Sequence, residues 1–199
     1  MTRATFTQIP WAAWVMSRAF AKNRTLAILA WPTALLTLLP YALRRTIYLS
    51  DDRTGMVIVA RWRLVVDFAL TFAIMLPLFV VLIVVAVAAS SISSFGFLGV
   101  FAAFMILFAV GIATLTGRTS AFTFPVGSET PRSGPQWQVA GLAQLPGTRL
   151  SALLLARRVI RSLPPGSVVA TVAASDELLD AYVRWGFTAG QNRRAFLVV

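Results

Sequence analysis

FALTFAIMLPLFVVLIVVAVAASSISSFGFLGVFAAFMILFAVGIATLT, residues 68–116, holds no charged side chain. Two apolar runs, 68–89 and 95–116, flank the turn residues SISS at 91–94. Each run exceeds the roughly 20 apolar residues a helix needs to cross about 30 Å of hydrocarbon. A helix also satisfies its own backbone polar groups, which lipid cannot do for it. So short a linker makes the pair a tight antiparallel hairpin, and the segment 64–117 reads as a transmembrane hairpin. Pro77 predicts a kink in the first helix. Ala86, Ala89, Gly96, Gly99 and Ala103 offer places where the two helices can approach closely.

Working outward, Arg61 and Arg63 precede the hairpin and Arg118 follows it, whereas the turn is uncharged. The excess of cations beside cytoplasmic helix ends therefore places the turn outside and both hairpin ends inside. The expected location is the cytoplasmic membrane, with everything beyond the hairpin in the cytosol. Asp67 lies one helical turn after Arg63, a spacing that reads as an interfacial ion pair between them, with a proton relay as the alternative.

Composition agrees with a bilayer as partner. Of 199 residues, 58% are hydrophobic and 13% charged, where soluble domains carry about a quarter charged residues. The formal charge is +11, from 18 Lys+Arg against 7 Asp+Glu. Such a balance fits nucleic acid or an anionic membrane face. No aromatic platform interleaves with the C-terminal arginines, which argues against nucleic acid. The absence of cysteine and histidine excludes disulfides, thiolate nucleophiles, histidine bases and Cys/His zinc sites. The carboxylates are scattered, which argues against a Mg or Ca cage and leaves no metal site to expect. Gln8, Pro10 and Arg18 interrupt the first 20 residues, so no cleaved secretory signal is expected there.

The rest divides by pattern. Residues 1–24 form an amphipathic segment, in which WAAWVMSRAF with Trp11 and Trp14 is expected to rest at the headgroup level. Residues 25–43 are apolar but carry Pro32 and Pro40, leaving spanning, re-entrant and interfacial helices open. Spanning would put Arg3, Arg18, Lys22 and Arg24 outside, so the charge rule favours a re-entrant or interfacial element. In 44–63 two β-branched and aromatic runs flank DDRTG, the pattern of a β-hairpin or of a basic loop. Residues 118–135 are a Gly/Ser/Thr/Pro linker with one short strand at 120–124. From 136 to 199 the order is strand, turn, helix, strand, helix, strand. This predicts a small C-terminal α/β domain behind a hairpin of two spans, or three if 25–43 crosses.

Within that last domain SDELLDAYVRWGF, 175–187, resembles the final helix of the GNAT superfamily of acyl-CoA-dependent N-acetyltransferases. The family pattern there is Asn, six residues, Tyr, three residues, Gly-Phe. Tyr182, Gly186 and Phe187 fit the spacing, with Ser175 in place of Asn. LAQLPGTRLSALLLARRVI, upstream, resembles the family's acyl-CoA strand, pyrophosphate loop and helix. The resemblance covers Trp137–Val199, about a third of the chain. It implies acetyl-CoA or another acyl-CoA as co-substrate and N-acyl transfer to an amine acceptor as the activity. It also implies a pyrophosphate site at Leu145, Gly147, Thr148, Arg149, Leu150, Ser151 and Ala152, and Tyr182 as the acid that protonates the departing thiolate. Glycines let a loop backbone approach a phosphate, and a helix start offers it free N–H groups. The family signature Arg/Gln-x-x-Gly-x-Gly/Ala here reads Pro146, Arg149 and Ser151, with Gly147 beside them and the Arg149 charge as a substitute. That departure supports a different class of function, a non-catalytic membrane adaptor that keeps the fold for docking.

No base is evident, since Asp176, Glu177 and Asp180 also suit a helix start electrostatically. No soluble counterpart is expected for the family's N-terminal half, which shapes the acceptor pocket. A sheet of this size, with an edge at 137–145, needs cover. Either Thr46 to Trp62 or a second copy of the domain, in a homo-oligomer, is expected to pair with it.

Overall fold

The computed structural model describes residues 2–93, 95–116, 124–148 and 150–199. The elements are β1 (Thr2–Arg3), α1 (Ile9–Phe20), α2 (Arg24–Leu43), β2 (Ile47–Leu49), β3 (Gly55–Arg61), α3 (Leu64–Ser90) and α4 (Gly96–Thr116). After these come β4 (Gln136–Gln144), α5 (Ser151–Arg161), β5 (Val168–Val172), α6 (Asp176–Arg184), β6 (Thr188–Ala189) and β7 (Arg194–Val198).

A single sheet orders the strands β1-β2-β3-β4-β5-β7-β6, antiparallel except for β4 and β5. The 44–63 segment forms the expected hairpin, and β3 pairs with β4 from Gly55 opposite Gln144 to Arg61 opposite Trp137. This covers the exposed edge. It also corrects the boundary of the α/β domain, because residues 2–61 supply three strands and α1 to the same sheet. The apolar hairpin is thus inserted between two neighbouring strands, where a short turn would serve.

Both faces of the sheet are covered, which is why Gly55 to Ala60 form an unbroken buried run. Alternate residues serve opposite cores. Met56 and Ile58 join α1 and α2, while Val57 and Val59 join α5 and α6. In α5 the buried residues Ala152, Leu155, Ala156, Val159 and Ile160 recur at helical spacing. Ser175 caps α6 by accepting the Leu178 N–H at 3.3 Å.

One expectation for the N-terminal segments is corrected. The face of α1 carrying Ala12, Ala13 and Val15 is fully buried beneath the sheet rather than resting among headgroups. Trp11 instead donates its Nε1–H to the Arg53 carbonyl at 2.9 Å. α2 runs unbroken through Pro32 and Pro40. Helices α2, α3 and α4 are all long and apolar enough to cross a membrane, but 39% of the most apolar window of α2 is covered by protein, against 6% in each of the others. α2 lies between α1 and α4. Gly111 of α4 touches it closely, since a Cβ there would run into the Thr33 hydroxyl. In the hairpin, Gly96 makes a comparable approach to the Ala89 carbonyl, whereas Gly99 faces open space. Of the strand expected at 120–124, all but Phe124 lies outside the described residues.

Candidate functional site

The two parallel strands separate midway. β4 and β5 pair from Gln136 opposite Val168 to Val139 opposite Thr171. Beyond this β5 ends at Val172, while β4 continues to Gln144 along β3. Against β3 the register shifts, with Val59 facing Val139 but Val57 facing Leu142. β4 therefore carries one extra residue at Ala140–Gly141, and Gly141 takes the left-handed φ of +103° that a side chain disfavours. Such a bulge bends its strand, here at the point where β4 leaves β5. The result is a wedge between β4 and the end of β5.

A cavity adjoins the wedge on each face of the sheet. One, of about 400 Å³, lies toward α2 and α3 and is lined by Tyr41, Asp67, Thr71, Gln138 and Gly141. The other, of about 120 Å³, lies under α5 and α6 and is lined by Arg157, Arg161, Thr171, Tyr182 and Phe187. Val139, the last paired residue of β4, lines both.

Tyr182 extends from α6, which packs on β6 and β7, to line the smaller cavity together with Val139 and Thr171. Its ring lies 5.5 Å from that of Phe187. Burial pushes the phenol pKa up, against a hydrogen bond with the Thr171 side chain that lowers it. The phenol is thus neutral at physiological pH. Thr171 Oγ1 in turn donates to the Val139 carbonyl at 3.2 Å, tying Tyr182 to the fork of the strands. Nothing in the sequence singled out Thr171, a residue type common in strands.

Asp67 is the carboxylate of the larger cavity, and its partner differs from the expected one. Arg63 is the extended N-cap of α3, with φ of −147°, so its side chain is not on the helical face of Asp67. The ion pair is made by Arg44, just past the end of α2, with both side chains largely covered. Gln138 Nε2 donates to the second carboxylate oxygen at 3.4 Å.

The segment from Leu145 to Ala152 does connect β4 to α5, although Arg149 lies outside the described residues. Gly147 and Leu150 both have left-handed φ, +87° and +60°. Leu150 caps α5 without a side-chain bond. The start of α5 rests on β3, where a Cβ at Gly55 would meet the Ala152 nitrogen at 2.7 Å. Among the described residues the buried Ser151 hydroxyl has no hydrogen-bond partner. Two amides are already engaged. Leu145 N–H bonds the Thr54 carbonyl at 2.8 Å, and Thr148 N–H bonds the Leu145 carbonyl at 3.2 Å.

The carboxylates of α6 stand elsewhere. Asp176 forms an ion pair with Arg193 at 2.8 Å, and the Ser175 hydroxyl holds the Glu177 carboxyl below the usual range. Neither they nor Asp180 line either cavity. Of the three arginines of α5, Arg157 and Arg161 border the Tyr182 cavity. Arg158 instead reaches toward Asp51 at 3.5 Å. Among the described residues no group of carboxylates could hold a metal ion. Comparison with protein-family models and with curated proteins finds no match for this chain.

Proposed function

We propose that the chain is a membrane-anchored, GNAT-like acyl-CoA-dependent N-acyltransferase whose wedge lies at the cytosolic face of the cytoplasmic membrane. The observation that carries this reading is the fork of β4 and β5 with Tyr182 beside it. A thioester between the strands supplies an activated acyl group, and the residues around it have separate tasks. The unpaired edges of β4 and β5 hold the extended arm by main-chain hydrogen bonds. Tyr182 gives its proton to the departing sulfur, and water returns one to the phenol. The larger cavity admits the amine from the opposite face of the sheet, and its excess proton goes to water. Arg157 and Arg161 supply positive charge for the phosphates, as does Arg149 in the loop.

A second reading, the non-catalytic adaptor, is favoured by the amides of Leu145 and Thr148, which are engaged within the protein rather than left for a phosphate. Titration of the detergent-solubilised chain with CoA separates the two. The enzyme reading expects binding that Arg149→Ala weakens about tenfold. It also expects Tyr182→Phe to keep CoA affinity and to slow transfer about 10²–10⁴-fold. No binding at millimolar CoA favours the adaptor. Orientation is tested with an impermeant thiol reagent, which should label Ser93→Cys from outside and leave Ser133→Cys untouched.

A further inference from the structure

Asp67 stands where two cavities meet. The one at the wedge shares Tyr41, Asp67 and Thr71 with another of about 410 Å³ that lies between α2, α3 and α4. Farther from the sheet the lining turns apolar, through Leu36, Met75, Phe108 and Ile112. Eight residues of α3 separate Asp67 from Met75, about 12 Å of helix. That depth is less than half of a hydrocarbon core of about 30 Å.

We propose that this combined cleft binds a lipid amine, an amphiphile drawn from the bilayer. Its hydrocarbon tail lies between α2, α3 and α4, and its primary amine stands at Asp67, facing the wedge at Gly141. The proposal of an amine as the group presented rests on the acyl-transfer reading; the binding of an amphiphile does not.

The cleft has the chemistry of an amphiphile in the right order. Its deep end adjoins exposed apolar helix surface, since Leu76, next to Met75, is 62% exposed and Ile112 40%. Two of the hydroxyls lining the cleft bond within their own helices, Thr37 to the Thr33 carbonyl and Thr71 to the Asp67 carbonyl, each at 2.8 Å. They therefore place no demand on water beside a hydrocarbon chain. At the shallow end, among the described residues, Asp67 is the one carboxylate lining either cavity. It can accept a hydrogen bond from an ammonium while Arg44 and Gln138 hold it in place.

The ammonium first gives one proton to water. The freed nitrogen lone pair then forms the N–C bond to the thioester carbonyl, the C–S bond breaks, and the sulfur takes the proton of Tyr182. A second nitrogen proton leaves to water, and water reprotonates the phenol. The sum is ammonium plus acyl thioester giving amide, thiol and one proton.

The test uses the full chain in phosphatidylcholine vesicles with a long-chain primary amine that carries a photoreactive diazirine in its tail. Peptide mapping should find the crosslinks within 67–75 and 108–112, and Met75→Trp, which fills the deep end, should reduce them about tenfold. Crosslinks spread along the whole hairpin and insensitive to Met75→Trp overturn the proposal, whether or not the chain is an enzyme. In parallel, acetyl transfer from acetyl-CoA is measured to octadecylamine in the vesicles, to phosphatidylethanolamine in the vesicles and to soluble ethanolamine. Transfer to either lipid amine, with a preference over ethanolamine that Met75→Trp lowers about tenfold, supports the proposal, and the better substrate names the headgroup. Efficient transfer to ethanolamine alone overturns it and leaves the enzyme reading standing. Mapped crosslinks without any transfer keep the amphiphile site and remove the acyl-transfer reading.

Discussion

The two faces of the sheet are covered by helices of different kinds. On one, α5 and α6 are short and amphipathic, with one apolar side toward the strands and arginines or carboxylates on the other. On the opposite face α1 carries its apolar side to the strands, but α2 above it is apolar nearly all round and touches α1, α3 and α4. The first face ends in those polar sides. The second continues into further apolar helices, because its outer layer, α2, also packs on the α3–α4 hairpin. Small residues make this merger possible, since Ala27, Ala30 and Ala34 are fully buried and Gly111 accepts Thr33 against its backbone. A site on the second face is thus built partly from helices long and apolar enough to cross a membrane, and a site on the first is not.

The largest effect expected from this difference concerns α2 against α3. Leu38 is fully buried among α1, β2 and β3, whereas Leu76 of α3 is 62% exposed. Leu38→Ala should cost about 2–5 kcal/mol through lost burial and an unfilled cavity. Leu76→Ala should stay within about 0.5 kcal/mol, because lipid fills the space. Thermal or denaturant unfolding in one detergent compares them directly. Equal losses would mean that α2 is a lipid-facing anchor like α3, and the contrast between the faces would fail.

Much of this difference was hidden in the sequence for a physical reason. An apolar stripe of helical period looks the same whether a strand or an acyl chain will cover it. Trp11 and Trp14 therefore read as headgroup anchors, although Ala12, Ala13 and Val15 beside them pack on the sheet. α5 and α6 were legible because water marks one side of each with charge. The β2–β3 hairpin was legible from its turn residues, and its pairing with β4 from the cost of a bare strand edge. At the candidate site Tyr182 was named through the resemblance of residues 175–187 to the GNAT helix. Thr171 and the Arg44 partner of Asp67 did not, since each joins elements far apart in the chain. The bulge at Gly141 was equally silent, because a lone glycine in a strand has several uses.

A smaller effect separates the ion pairs of the two faces. Arg44 and Asp67 retain 14% and 18% of side-chain exposure, while Arg158 and Asp51, on the watery side, retain 62% and 67%. Arg44→Ala leaves a largely covered carboxylate with Gln138 alone and should cost about 1–3 kcal/mol. Arg158→Ala should change stability by no more than about 0.5 kcal/mol, as exposed pairs usually do. Raising salt to about 1 M should erase what little Arg158 contributes and leave the Arg44 effect nearly intact, since screening acts on exposed charge. If both variants responded alike to salt, the Arg44 pair would have to be as exposed as the Arg158 pair, and the contrast between the two faces would fail.

The smallest effect is on the watery side, at Tyr182. Its hydrogen bond with Thr171 should contribute about 0.5–1.5 kcal/mol, so Tyr182→Phe is expected to be less stable by that amount at neutral pH. The pH dependence gives the sharper result. An unfolded phenol titrates near the ordinary value of about 10, and burial raises the folded value above that. The folded state therefore holds this proton more tightly than the unfolded one. Stability from that difference is fully present below about pH 10 and is lost as pH rises through the folded pKa. The Tyr182→Phe variant has no phenolic proton to lose at this position, whereas the other ionisable groups are common to both proteins and cancel in the comparison. The gap between the two unfolding midpoints should accordingly be constant from about pH 7 to 9 and shrink or reverse above about pH 10. A gap that holds through about pH 11 would mean that the hydroxyl reaches water, and a phenol in water could not be the buried proton donor that the wedge requires.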